Sequence, residues 1–128
     1  MFKPISEKKA KGKVKKIFNE IKHSRKIKKI PNFWRSLAHN PETLERTWNN
    51  LKQIMKKGAL DPITKELIYV AVSITNSCEY CIRSHTFAAK KKGATDKMIK
   101  EMIDVVGIAN QNNKLVEAYG VEVDEIYK

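Results

Sequence analysis

The chain has 128 residues, of which 41% are hydrophobic, and it carries a formal net charge of +12. This length suffices for one domain whose buried core needs neither a metal ion nor a disulfide. No apolar run approaches the ~18–20 residues that span a bilayer, and Met1–Lys13 lacks the apolar segment of a secretory signal. We therefore expect a single domain over residues 1–128, located in the cytoplasm.

The positive charge is concentrated near the N-terminus. Residues 1–30 contain 12 Lys or Arg and 2 Glu, whereas residues 31–128 contain 14 Lys or Arg and 12 Asp or Glu. Lys outnumbers Arg, and aromatic residues do not alternate with it, which argues against a surface that reads nucleic-acid bases. We predict a solvated, lysine-rich helical segment over 1–30. The alternative is a basic arm that binds nucleic acid or an acidic partner.

The first part of the pattern predicts three helices. Apolar residues at helical spacing predict an amphipathic first helix over roughly 7–26. A break at Pro31 precedes a short helix over 33–39. Pro41, which follows an asparagine suited to the N-cap position, begins a third helix that ends at Gly58.

A fourth helix has a different character. Asp61 followed by Pro62 repeats the signal of an N-cap and a first helical residue. The residues that follow are apolar on almost all sides, which predicts a buried central helix. Glu66 is the carboxylate within this apolar stretch.

Two further helices complete an all-α bundle of about six helices. Asn76 or Ser77 is expected to cap the fifth helix, which places the CxxC pair at the N-terminus of a central helix. Thr95 is expected to cap the last helix, which we predict to be interrupted or relaxed near Gly107 and to fade by Gly120.

Cys78, Cys81 and His85 are the chemically distinctive residues, and the chain contains no other cysteine. On a helix, spacings of three and four residues place both thiols and the imidazole on one face. In a reducing compartment, a CxxC pair is more often catalytic or metal-binding than a structural disulfide. The pattern therefore favours thiol–disulfide chemistry.

Two mechanisms can lower the pKa of these thiols. The partial positive charge of a helix N-terminus favours the Cys78 thiolate. His85, four residues after Cys81, can accept the proton of that thiol or stabilise its thiolate. The residue types alone leave open which cysteine reacts first.

Glu66 lies twelve residues before Cys78, the separation needed to end one helix and begin the next. If the two helices are neighbours, Glu66 can face the dithiol and exchange protons with His85. Burial is expected to raise the pKa of Glu66 and to suit it to acid–base catalysis. The alternative is a structural ion pair with Lys65, Arg83 or another cation.

The spacing from Glu66 through Cys78 and Cys81 to His85 resembles that of the alkylhydroperoxidase D-like proteins of the carboxymuconolactone decarboxylase superfamily. The resemblance extends over about residues 14–123. Three further segments are similar to its peroxidase-related branch: Pro31–Trp34, Leu37–Pro41 and Gly58–Pro62.

This resemblance implies an all-α homo-oligomer (dimer, trimer or hexamer) that acts in antioxidant defence without a metal ion or an organic cofactor. It implies that Cys81 attacks the hydroperoxide and becomes a sulfenic acid, which Cys78 resolves to a Cys78–Cys81 disulfide. Glu66 and His85 would form the proton relay. A dihydrolipoamide-bearing or thioredoxin-like protein would then reduce the disulfide.

Tyr80 departs from the pattern, since many alkylhydroperoxidase D members have histidine between the cysteines. A phenol with a pKa of ~10 cannot act as a base at neutral pH, so we assign Tyr80 only an accessory role. Lactone decarboxylation is not expected, because decarboxylase members lack the CxxC pair.

Two alternatives to the enzyme remain. Zinc accepts ligands of the types supplied by Cys78, Cys81 and His85, but structural sites need a fourth ligand, and no second CxxC pair is present. The other alternative is a non-enzymatic basic binding module whose CxxC pair senses redox state.

Overall fold

The computed structural model describes all 128 residues, which form six α-helices and no β-strand. The helices are α1 (Gly12–Arg25), α2 (Asn32–Leu37), α3 (Pro41–Met55), α4 (Pro62–Thr75), α5 (Glu79–Lys91) and α6 (Asp96–Tyr119). Short 3₁₀ turns lie at Glu7–Lys9 and Glu125–Tyr127. The predicted all-α class with about six helices is confirmed. No helix has the length and apolar character to cross a membrane.

The chain folds as two compact units, residues 1–54 and 55–128. The expectation of a single domain over the whole chain stays a prediction. The first unit contains an apolar core to which α1, α2 and α3 all contribute. The buried apolar side chains of these helices are Val14, Ile17, Phe18, Ile21, Trp34, Leu44 and Trp48, and Ile30 joins them from the segment between α1 and α2.

The inner face of α1 is the apolar stripe that the sequence predicted, and its lysines lie on the outer face. The helix begins at Gly12, later than expected, because a separate 3₁₀ turn and an extended Lys11 precede it. Within this core, the rings of Trp34 and Trp48 meet edge to face with centroids 5.3 Å apart. Edge-to-face contact is a favourable geometry for aromatic pairs.

The predicted caps of α3, α4 and α6 are confirmed. Asn40, Asp61 and Thr95 each accept the backbone N–H of the third residue that follows, at 3.0 to 3.1 Å. These bonds satisfy backbone donors that have no partner inside the helix. The end of α3 differs from the prediction, since the helix stops at Met55, before Gly58.

Two other expectations about helix boundaries are wrong. The N-cap of α5 is Cys78, and neither Asn76 nor Ser77. Ser77 adopts a left-handed backbone with φ +54°, which turns the chain out of α4 before α5 begins. α6 continues without a break through Gly107, because a single glycine within a helix costs only about 1 kcal/mol relative to alanine.

In the second unit, α4 packs against α5 and α6. Glu66, Val70 and Ser73 are its buried residues. Ile68 and Val72, however, are 48% and 54% exposed. The prediction of a buried central helix therefore holds for one face of α4 and is wrong for the face that carries Ile68 and Val72.

We expect Trp34→Ala to lower the free energy of unfolding by about 3–5 kcal/mol, since removing a fully buried indole leaves a cavity. Phe33→Ala is the matched control, because Phe33 neighbours Trp34 but is 40% exposed, and its loss should be about 1 kcal/mol or less. Urea unfolding followed by circular dichroism measures both variants. Equal losses would contradict the assignment of Trp34 to the core.

Candidate active site

The packing of α4 against α5 brings Glu66 and His85 into contact. Glu66 is 3% exposed, and its Oε2 lies 2.6 Å from the His85 Nδ1. Its other carboxylate oxygen, Oε1, accepts a hydrogen bond from the ammonium of Lys92, the C-cap residue of α5. Glu66 therefore has a partner on each oxygen, both supplied by α5 and its C-cap.

The environment of Glu66 keeps this carboxylate ionised. Burial by itself raises the pKa of Glu66, but hydrogen bonds from His85 and Lys92 and the charge of Lys92 outweigh it, so the pKa lies below its ordinary value of 4.5. The expectation of a raised pKa for Glu66 is therefore wrong, because it considered burial and left out the two donors. An ionised carboxylate only accepts hydrogen bonds, so the His85 Nδ1 carries the proton of this hydrogen bond.

Tyr69 holds the imidazole from its face. The rings of Tyr69 and His85 are stacked, with centroids 3.5 Å apart and planes inclined by 16°. The His85 side chain is 14% exposed, so the ring is largely removed from solvent while its edge bonds Glu66. The ring is thus restrained both in its plane and along its edge.

The dithiol lies at the start of α5. The Cys78 N–H donates to the carbonyl of Ser73 in α4 at 2.9 Å, which ties the turn to the preceding helix. Cys78 and Cys81 are both free thiols of intermediate exposure.

The two thiols differ in acidity. The pKa of Cys78 is lowered, first by a hydrogen bond from the Cys81 side chain and then by the Cys81 backbone N–H. Burial, followed by the hydrogen bond and charge of Cys78, raises the pKa of Cys81 to about 11. Of the two expected effects, the lowered pKa of Cys78 is present, with Cys81 as its main cause. No hydrogen bond joins His85 to either thiol in this structure, and the pKa of Cys81 is not lowered.

The two cations named from the sequence as possible partners of Glu66 bond other groups. Lys65 donates to the carbonyl of Lys56 at 2.7 Å, and Arg83 pairs with Glu79 at 2.9 Å. The cation that pairs with Glu66 is therefore neither of the two named from the sequence. No group of three or more His, Cys, Asp or Glu side chains is arranged to hold a metal ion.

Tyr80 is 45% exposed, and its accessory role stays a prediction.

Sequence reasoning did not identify Lys92 as part of the site. Its signal was present: Lys92 lies seven residues after His85, a spacing that returns to the same helix face. Many exposed lysines share such spacings, so the sequence does not distinguish this one.

We expect the stability that Glu66 contributes to depend on pH. Its pKa is lowered from 4.5 in the folded chain, so as the pH falls below that value the unfolded chain binds this proton first, and the contribution of Glu66 is lost. The difference in unfolding free energy between the unaltered protein and Glu66→Gln should thus be largest near neutral pH and shrink in acid.

Urea unfolding at a series of pH values measures this difference. Glu79→Gln is the matched control, because the Glu79–Arg83 pair is exposed to solvent and contributes little. A difference for Glu66→Gln that grows as the pH falls would contradict the inferred direction.

Comparison with known proteins places the chain in a family. The sequence pattern of the carboxymuconolactone decarboxylase family matches residues 41–121. An alkyl hydroperoxide reductase AhpD from Solibacter usitatus is 30% identical over 93 residues, covering 73% of this chain and 51% of the relative. An uncharacterized protein of the cox locus of Paracoccus denitrificans is 44% identical over 52 residues, covering 41% of this chain and 47% of the relative. The chain spans about half the length of these curated relatives.

The fold has a close counterpart among solved structures. The alkylhydroperoxidase AhpD core from Rhodospirillum rubrum superimposes with a TM-score of 0.87 at 46% sequence identity, covering 90% of this chain and 85% of that chain. Together with the family match, this similarity shows that the chain belongs to the carboxymuconolactone decarboxylase family as an alkylhydroperoxidase D-like member.

Proposed function

We propose that this protein is a thiol-dependent hydroperoxide reductase that cycles between a Cys78–Cys81 dithiol and a disulfide. The observation that carries the proposal is the hydrogen-bonded Glu66–His85 pair, formed between α4 and the helix that also carries the CxxC pair. The names of relatives support the substrate class, since two curated relatives are called alkyl hydroperoxide reductase AhpD.

In the first step, the Cys81 thiolate attacks one oxygen of the hydroperoxide. A sulfur–oxygen bond forms, the oxygen–oxygen bond breaks, and the leaving alkoxide takes up a proton to give an alcohol. His85 accepts the Cys81 proton at Nε2 and delivers it to the alkoxide. Cys81 needs this base because its pKa is raised to about 11.

In the second step, Cys78 attacks the sulfenic sulfur of Cys81. The disulfide forms and the sulfenic oxygen leaves as water after taking up a proton. The lowered pKa of Cys78 increases its thiolate fraction at neutral pH, which suits the resolving role.

In the third step, a dithiol partner restores the reduced protein. One thiolate of a dihydrolipoamide-bearing or thioredoxin-like protein attacks the disulfide, and its second thiol completes the exchange, so that the partner is oxidised to a disulfide. Cys78 is the better leaving group because its pKa is the lower. Attack at the Cys81 sulfur is therefore favoured.

The apolar surface of the second unit supports a homo-oligomer. Ile68 and Val72 of α4 are about half exposed, as are Ile108 and Val116 of α6. Exposed apolar residues that form a contiguous patch are typical of a protein interface. We propose that a second copy of the chain covers it, in a dimer, trimer or hexamer.

We expect the two cysteine variants to separate the roles of the thiols. After reduction and treatment with one equivalent of cumene hydroperoxide, Cys78→Ser should accumulate a sulfenic acid on Cys81 that dimedone traps. Cys81→Ser should give no adduct, and both variants should lose turnover with a dithiol reductant. Mass spectrometry of the digested protein locates the adduct.

Each variant serves as the control for the other, because both remove one thiol from the same helix turn. An adduct on Cys78 in Cys81→Ser, together with no adduct on Cys81 in Cys78→Ser, would reverse the two roles. Thiols that remain free in the unaltered protein under the same treatment would refute the peroxidase proposal.

We expect the unaltered protein to have a solution mass two, three or six times that of the 14.8 kDa chain. Val72→Glu should shift this mass toward that of the monomer, because it places a charge in the apolar surface of α4. Leu60→Glu, a change at a 48% exposed residue outside α4, is the matched control. Light scattering after size-exclusion chromatography measures the mass, and a monomeric unaltered protein would refute the oligomer.

A further inference from the structure

Lys92 is a charged group that contacts the Glu66–His85 pair and that the proposed cycle does not use. Its ammonium is bound to the Glu66 Oε1, while the Glu66 Oε2 is bound to His85. The Lys92 side chain is 39% exposed, whereas that of Glu66 is 4% exposed. Lys92 thus reaches from the surface to a carboxylate that is almost completely buried.

We propose that Lys92 is a positioning residue of the proton relay, whose ammonium compensates the Glu66 carboxylate and thereby lowers the affinity of His85 for a proton. Its significance for catalysis rests on the proposed function. The electrostatic coupling among Lys92, Glu66 and His85 is independent of that function.

The physical basis is the sign of the charge next to the imidazole. A buried carboxylate that faces a histidine alone favours the protonated ring, because opposite charges in contact stabilise each other. An ammonium on the far oxygen of the same carboxylate removes most of that advantage. The ring then keeps a neutral Nε2 acceptor while its Nδ1 remains oriented by Glu66.

No other charged side chain substitutes for Lys92. The ion pairs and hydrogen bonds of Glu66 and His85 are confined to each other and to Lys92. From α4, Tyr69 contributes a stacked ring. α6, which also packs against α4, contributes neither an ion pair nor a hydrogen bond to the two residues.

Besides His85, α5 and its N-cap carry two thiols, Tyr80, the exposed Glu79–Arg83 pair, Lys90 and Lys91. Cys81 and Cys78 lie toward the start of the helix, and His85 is hydrogen-bonded to neither. Lys90, two residues before Lys92, pairs with Asp96 at 2.7 Å. The position of Lys92 at the C-cap also suits a cation, since the last carbonyls of a helix carry partial negative charge.

The experiment compares Lys92→Met with Lys92→Arg and Lys90→Met. Two-dimensional ¹H–¹⁵N spectra of the imidazole rings, recorded from pH 5 to 9, follow the titration midpoint of His85. The resonance is identified by its loss in His85→Gln. The rings of His23 and His39, both in the first unit, are internal controls in every spectrum.

In Lys92→Met the His85 midpoint should lie about one pH unit higher than in the unaltered protein, a tenfold change in proton affinity. Lys92→Arg should restore it, because arginine keeps the charge. Lys90→Met should leave it in place, because it removes the same charge from a surface pair. Lys92→Gln is the second neutral variant in case Lys92→Met does not fold.

A second readout is the alkylation of the thiols by iodoacetamide as a function of pH. If His85 is their base, the acid limb of this profile should move up with the His85 midpoint in Lys92→Met and stay unchanged in Lys90→Met. A folded Lys92→Met with an unchanged His85 midpoint would overturn the inference.

The two readouts separate the inference from the proposed function. If the His85 midpoint moves but the alkylation profile does not, Lys92 sets the protonation of His85 as proposed, and the route of the thiol proton through His85 is wrong. If the unaltered protein does not react with hydroperoxide, the spectra still test the role of Lys92.

Discussion

A buried carboxylate organises the second unit of this protein. Glu66 lies in α4 among apolar residues, where an uncompensated charge would be strongly destabilising. Both of its oxygens are satisfied by side chains from His85 and Lys92, at the middle and the end of α5. The packing of α4 on α5 therefore also assembles the site, because the contacts that stabilise the helix pair orient the imidazole of His85.

The two thiols at the start of α5 differ in their pKa values. Cys78 has a lowered pKa and Cys81 a raised one, since Cys81 is more buried and donates toward the Cys78 sulfur. Such a pair does not ionise as two equivalent thiols. The more acidic thiol is suited to resolving and leaving, whereas the less acidic one depends on a base, and the proposed cycle assigns the roles accordingly.

The lysines of α1 are accounted for within the first unit. The lysines of α1 lie outside an apolar core, and some pair with acidic residues of their own unit, as Lys13 does with Glu45 and Lys22 with Glu7. These contacts agree with a solvated helix face, while binding of nucleic acid or an acidic partner stays a prediction. The apolar residues left exposed on α4 and α6 are the stronger indication of a protein interface.

The pairing of Glu66 with His85 was one of two alternatives that the sequence left open. Sequence alone was sufficient for the number and order of the helices and for the caps at Asn40, Asp61 and Thr95. Each of these depends on residues within a few positions or on a regular helical period. The tertiary structure alone decided that Lys92 pairs with Glu66, that the pKa of Glu66 falls despite burial, and that α4 is partly exposed. Burial and pKa are set by groups that the fold brings from elsewhere in the chain, and no local pattern encodes which of many lysines or apolar residues those are.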